Sequence, residues 1–168
     1  LSPQILGLED FIRLLYRLCP DRRALLSAAG QYLLLEDTLR HHARSFTYLR
    51  PAQGGFFSGL SLALVRFIQE LRTADITPDT LDARRHELAG LAGERGDELL
   101  QIYRDVVEGM APHYIDYTGM IHAVHKNLDA RRFAAHLPQI DLLLISGFAA
   151  FEPPLKLLLK RLFTLIAE

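Results

Sequence analysis

Apolar residues recur at steps of three and four along most of this chain, a period that predicts helices. Phe11, Leu14, Leu15 and Leu18 mark the first helix, which Pro20 stops. Asp21 is suited to cap a second helix running towards Arg44, with Leu25, Leu26, Ala29, Leu33 and Leu39 on its apolar face and Gly30 as a point of breakage. Pro51, Gly54 and Gly55 make Arg50 to Gly55 a loop. The clearest stripe comes next, in Phe56, Leu60, Leu64, Phe67, Ile68 and Leu71. Thr77 as N-cap and Pro78 at the first helical position open a helix to about Leu91, which Gly93 and Gly96 break. Leu99, Tyr103, Val106, Val107 and Met110 line another helix, with Glu98, Gln101, Arg104, Asp105 and Glu108 opposite and Pro112 at its end. Tyr117, Met120, Ile121, Val124 and Leu128 form a further stripe, and a short helix is expected near Arg131 to His136.

Two segments break the helical period. Pro3 to Leu6 is apolar, bounded by Pro3 and Gly7, and reads as a short strand remnant. Ile140 to Ser146 is a continuous apolar run interrupted only by Asp141, with no polar face; a strand buried on both sides, as in a parallel sheet, fits it. Gly147 ends the run, and Pro153 and Pro154 precede a last helix from about Leu155. A lone parallel-type strand cannot satisfy its own backbone groups, so its neighbours are expected outside this chain. Leu1 in place of an initiator methionine, and a helical pattern still running at Phe163 to Ala167, agree with a segment cut from a larger protein. The expected class is mainly α, a helical bundle-like domain with one or two short parallel-type strand remnants near 3–6 and 140–146.

Composition narrows the function. Of 168 residues 49% are hydrophobic and 23% charged, which suits a packed core rather than disorder. Nineteen Lys and Arg against twenty Asp and Glu give a formal charge of -1, against the basic balance of a dedicated nucleic-acid module, though a local basic patch stays compatible with it. Cys19 is the only cysteine, so no disulfide framework or thiolate cluster is available and a reducing, cytoplasmic setting is expected. No apolar run is long enough to span a bilayer, so no membrane partner is expected.

Catalytic patterns are missing. The sequence has no phosphate loop of the G-x-x-x-x-G-K-[ST] type, no G-x-S-x-G elbow and no H-E-x-x-H. Cys19, at the end of an apolar helix, reads as a buried structural residue rather than a nucleophile. His41 and His42 are adjacent and diverge by about 100° on a helix, so they do not share a metal. His122 and His125 share a face at i, i+3, but no carboxylate completes a ligand set and the expected setting is a solvated rim. No cofactor is expected. Short basic groups remain: Arg22 with Arg23, Arg40 to Arg44, Arg84 to His86, and Arg131 with Arg132. Phosphate contact would need such groups gathered on one surface.

The last thirty residues carry the most specific pattern. Ile140 to Ser146, Gly147-Phe148, then Phe151-Glu152-Pro153-Pro154-Leu155 and a helix with Leu158, Leu159 and Leu162, resemble the second helicase motif of UvrD-like superfamily 1 enzymes. More closely, Gly147, Phe148, Phe151 and Pro153 resemble the strand end of AddB-type subunits of bacterial helicase–nucleases. Pro3 to Phe11, Gly55-Phe56 with Ile68 to Leu71, and Asp97 to Tyr103 resemble upstream segments of the same family.

The resemblance implies a helical insertion domain over 1–139 and, over 140–168, a strand and helix of a parent helicase-like core. An active motor of that superfamily ends its strand in two acids that handle Mg²⁺ and the attacking water. Ser146 and Gly147 stand there and supply no carboxylate, so the resemblance implies no ATP hydrolysis at this position, with Phe148 and Phe151 packing under the last helix. The implied role is a non-catalytic scaffold in double-strand break repair, within a parent ATP-dependent helicase/exonuclease subunit. Its expected partners are DNA, through non-specific phosphate contacts by Arg22, Arg23, Arg40, Arg44, Arg131 and Arg132, and a motor or nuclease subunit. The rivals are a helical protein–protein interaction domain without a nucleic-acid role and a metal-dependent helical enzyme.

Overall fold

A computed structural model describes residues 5–49, 58–87, 91, 93–128, 131, 143–147 and 150–167. The chain is mainly helical. Its elements are α1 (Leu8–Arg17), β1 (Ala24–Leu25), α2 (Ala28–His42), α3 (Ser58–Thr73), α4 (Pro78–Arg84), α5 (Glu94–Met110), β2 (Tyr114–Ile115), α6 (Tyr117–Asn127) and α7 (Pro153–Ala167). A 3₁₀ turn, Arg85–Glu87, follows α4.

The chain forms two compact units, one built from 1–23 and 116–168, the other from Ala24–Ile115. The expected boundary at 139/140 falls within residues 132–142, outside the described residues; the two compact units meet in sequence at 23/24 and 115/116.

In the discontinuous unit α6 packs on both α1 and α7. Glu9 and Asp10 in the first turn of α1 and Arg17 in its last complement the helix dipole. Ile12, Leu15 and Cys19 are buried along one side, as the sequence period requires. The Cys19 thiol lies 3.6 Å from the Leu15 carbonyl oxygen and 3.8 Å from that of Ala123, a buried structural setting. Asp116 starts α6: its carboxylate accepts the Gly119 N–H at 2.6 Å. Met120, Ile121, Val124 and Leu128 are buried on α6, and Leu155, Leu158, Leu159 and Leu162 on α7.

In the continuous unit α2 packs on α3 and α5, and α4 on α5. Leu35 and Leu39, Leu64 and Ile68, Leu81, and Ile102, Tyr103 and Val106 share one core. The Tyr103 hydroxyl is satisfied at the edge of that core by donating to the Ile76 carbonyl at 2.6 Å. Thr77 caps α4 through the Thr80 N–H at 3.1 Å, with Pro78 in the first turn, as expected. That helix ends at Arg84 rather than near Leu91, because the chain tightens into the 3₁₀ turn. The second helix is capped by Ser27, which accepts the Gly30 N–H at 3.1 Å, and not by Asp21, whose carboxylate is taken by Arg23. Gly30 sits in the first turn of α2 and does not break it.

Parallel pairing occurs in an unexpected place. Ala24 pairs with Tyr114 and Leu25 with Ile115, bringing together the two ends of the continuous unit. The expected strands do not form in the described parts of their segments: Ile5 and Leu6, and Leu143 to Ser146, carry no strand. Leu144 is 81% exposed, which a strand covered on both faces would not allow. No strand of this chain pairs with Leu143–Ser146 among the described residues, and a parallel strand without a neighbour has no ladder. Residues 3–4, 140–142 and 132–136 lie outside the described residues.

Candidate functional site

The tip of the 143–147 segment carries the positions expected to hold the degenerate motif. Gly147 has φ +87°, a left-handed conformation that suits glycine and strains any residue with a Cβ. Ser146 is exposed beside it, and neither residue brings an acid. Phe148 lies outside the described residues. Phe151 is 39% exposed, so it is only partly covered. Pro153 then opens α7, where a missing N–H is harmless, and the Glu152 carbonyl accepts the Lys156 N–H at 2.9 Å.

The arginines divide by what holds them. Arg22 is exposed and donates through Nη1 to the Cys19 carbonyl at 3.1 Å. Arg23 grips Asp21 through Nε at 3.1 Å and Nη2 at 2.6 Å. The Arg23 guanidinium holds the Asp21 carboxyl well below the usual carboxylate range, and Asp21 in turn raises the Arg23 pKa. An arginine so engaged has little left for a phosphate. Arg40 and Arg44 are exposed at the end of α2 and have no side-chain hydrogen bond or ion pair among the described residues. Arg131 is exposed, and Arg132 lies outside the described residues. Arg22, Arg23 and Arg131 belong to the discontinuous unit, Arg40 and Arg44 to the continuous one. In the Arg84 to His86 group, Arg84 pairs with Glu87 at 3.1 Å, and Arg85 with Asp82 at 3.2 Å and with Asp97.

The histidines follow separate fates. His41 turns back to the Asp37 carbonyl at 2.9 Å. His42 Nε2 lies 2.5 Å from Asp105 Oδ2 while its ring stacks on Phe46 at 4.7 Å, so it ties α2 to α5. His122 and His125 lie on α6, half-exposed. Burial, then the charges of Arg161 and His122, push the His125 pKa below its ordinary 6.5. No group of three or more His, Cys, Asp or Glu side chains among the described residues is placed to hold a metal ion.

Three polar interactions escaped the sequence reading. Glu98, expected on the polar face of α5, is only 9% exposed, and its carboxylate accepts the backbone N–H groups of Thr47, Tyr48 and Leu49. The Ser61 hydroxyl donates to Glu36 Oε1 at 2.5 Å, linking α3 to α2. Ser45 Oγ lies 3.5 Å from His42 Nδ1 but donates to the His42 carbonyl at 3.0 Å, which leaves the hydroxyl unsuited to attack. Only the four-residue spacings within helices were visible beforehand; these pairings bridge elements or turns.

Among the described residues no helix is long and apolar enough to cross a membrane. No protein-family model matches the chain, and no curated protein matches it significantly.

Proposed function

We propose that this chain is the helical insertion region of an AddB-like helicase–nuclease subunit, a non-catalytic scaffold that contacts DNA through its phosphates. One observation carries the reading: a helical unit, Ala24–Ile115, is looped out of a unit assembled from 1–23 and 116–168. That is the chain topology which a helical insertion interrupting a helicase-like domain requires. The sequence pattern of Gly147, Phe151 and Pro153 adds support, as does the left-handed turn at Gly147. The missing strand at Leu143–Ser146 removes one support, the placement of Ser146 and Gly147 at a strand tip. In this reading neighbouring strands from the parent protein would pair with that segment. In this reading 24–115 is the part of the expected insertion, 1–139, that packs as a compact unit of its own.

In this proposal DNA contact falls first to Arg40, Arg44 and Arg131, whose guanidinium groups are exposed, and less to Arg23, which Asp21 occupies. The parent protein would work in cytoplasmic break repair beside a motor or nuclease subunit, with no cofactor held by this segment. Binding of a fluorescent oligonucleotide to the purified chain, measured across salt concentrations, tests the reading. The logarithm of the affinity should fall linearly with that of salt, and Arg40→Gln with Arg44→Gln should flatten the slope by about one for each phosphate that is no longer neutralised. Absence of binding at low salt would reject it.

A second reading, a protein–protein interaction domain without DNA, is favoured by Leu157 and Phe163, exposed large apolar side chains on α7. It predicts a stable complex with a partner chain and no salt-dependent DNA binding.

A further inference from the structure

Helix α4 is seven residues long, too short to hold its shape in isolation, and of its side chains only Leu81 is buried. Leu81 joins the core of the continuous unit. Charge supplies much of the rest of its attachment to α5. Asp79, Asp82 and Arg85 recur at steps of three along α4 and the 3₁₀ turn. Asp97 and Arg104 stand on one side of α5, with Leu100 between them at steps of three and four. Asp82 is the centre of the group: Arg104 Nη2 donates to its Oδ2 at 2.6 Å, and Arg85 Nε lies 3.2 Å from its Oδ1. Arg85 reaches on to Asp97 through Nη1, and Arg104 Nη2 lies 3.9 Å from Asp79. The series Asp97, Arg85, Asp82, Arg104, Asp79 therefore alternates in sign and crosses repeatedly between α5 and the α4 arm. Arg84 and Glu87 pair within the arm and cross nothing.

We propose that residues 78–87 form a strap that opens from α5 as a unit while the rest of the continuous unit stays folded, with the ion pairs as its latch and ionic strength as its control. The inference goes beyond the DNA-contact reading and does not depend on it. A hinge lies just ahead of the strap. The Tyr103 hydroxyl holds the Ile76 carbonyl at 2.6 Å, and Asp75 has φ +61°, a left-handed residue that turns the chain towards α4. Thr77 caps α4 from the neighbouring Thr80 N–H, so the cap travels with the arm. Opening uncovers the side of α5 that carries Leu100, an apolar residue 4% exposed when the strap is closed.

Salt separates the two kinds of attachment. α2, α3 and the middle of α5 share a core of Leu35, Leu39, Leu64, Ile68, Ile102 and Val106, whose burial does not depend on charge. Arg104, Asp82, Arg85 and Asp97 are 34, 36, 40 and 55% exposed, so water and counterions reach them. The Debye length falls from about 10 Å at 0.1 M salt to about 3 Å at 1 M, which is comparable with the distances across the latch. Added sodium chloride therefore loosens the arm before it loosens the core.

Amide hydrogen exchange of the whole chain, read by mass spectrometry at about 0.1 M and about 1 M sodium chloride, tests the strap, with the amides of α2 as internal reference. At the higher salt, exchange over 78–87 should quicken roughly three- to tenfold relative to α2, the range expected when two exposed ion pairs are weakened. Arg104→Gln should quicken it by a similar factor already at low salt and remove most of the salt response. Asp97→Asn, at a more exposed position, should quicken it less, and it decides the matter if Arg104→Gln fails to fold. Exchange over 78–87 that is the same at both salt concentrations and in the folded variants overturns the latch. Acceleration of α2 by the same factor as 78–87 overturns the strap, because the unit then opens only as a whole. Neither result bears on the DNA reading, which the salt dependence of oligonucleotide binding decides.

Discussion

The Glu98 carboxylate accepts the Leu49 backbone N–H at 2.8 Å and so fastens the turn that follows α2 to the first part of α5. The same carboxylate also receives the N–H groups of Thr47 and Tyr48. Three backbone donors on one side-chain carboxylate meet the need of a turn with no ladder of its own. Glu98→Gln keeps the shape but turns an NH₂ group towards N–H donors. It should destabilise the continuous unit by about 1–3 kcal/mol, because donors next to a buried position lose their acceptor. Urea unfolding of the purified variant measures this, and an unchanged midpoint would show that the interaction is not made in solution.

Asp21 and Arg23 give the protein an acid-sensitive ion pair. Arg23 hydrogen bonding depresses the Asp21 pKa from its ordinary 3.8 when folded. For a carboxyl with a lowered folded-state pKa, the stabilisation is complete above the unfolded value and is lost as pH falls from there through the folded value. The loss thus starts near pH 3.8 and continues below it. Because the Arg23 side chain is 35% exposed, solvent screening limits the contribution to about 1 kcal/mol. Asp21→Asn should lower stability at pH 7 by that amount and flatten the acid limb, read by denaturant unfolding at a series of pH values.

The helices were legible where one apolar stripe met one clear terminator. Thr77-Pro78 marks the start of α4, and the stripe from Tyr117 to Leu128 is the buried side of α6, because both signals are local. Glu98 was not legible: its partners lie 49 to 51 residues away, and periodicity places a charged residue outside by default. Ser27 replaced Asp21 as a cap because the chain first runs through β1, a two-residue strand too short to show alternation. The apolar run at 140–146 was ambiguous for the opposite reason, since a continuous run carries no period with which to choose its state, and its described part, 143–146, forms no strand. In the candidate site, residue type gave the arginines but not their engagement. That Arg23 is occupied while Arg40 and Arg44 have no side-chain partner among the described residues depends on where the carboxylates fall in three dimensions.

Tyr16 and Tyr117 are both held neutral to high pH in the folded chain. Burial, with hydrogen bonding and charge from Asp21, pushes the Tyr16 pKa from 10.0 to about 12. Burial, with the charges of Glu9 and Glu152, pushes Tyr117 to about 12 as well. For an acid whose folded pKa is raised, the unfolded chain loses its proton first, so stability is kept below pH 10 and declines between pH 10 and about 12. Tyrosinate absorbance should therefore show Tyr16 and Tyr117 among the late-titrating groups, ionising together with unfolding. Tyr117→Phe should remove one of them and shift the alkaline unfolding midpoint upward, provided the ring still packs. Ionisation of all six tyrosines near pH 10 with the fold intact would contradict both environments.

Gly96 sits in the first turn of α5 against the Leu91 backbone, so close that a Cβ there would fall on the Leu91 carbonyl oxygen. Backbone cannot swing aside as a side-chain end can, and relief requires the start of α5 to shift. Gly96→Ala should therefore destabilise by about 1–3 kcal/mol, although alanine is the better helix former. Gly59, in the first turn of α3, is the control: a Cβ there meets nothing within 4 Å. Gly59→Ala should be neutral or stabilising by up to about 1 kcal/mol, through helix propensity and a less flexible unfolded chain. Chemical denaturation of the two variants side by side separates propensity from packing. If Gly96→Ala also stabilised, the close approach of α5 to Leu91 would not exist in solution.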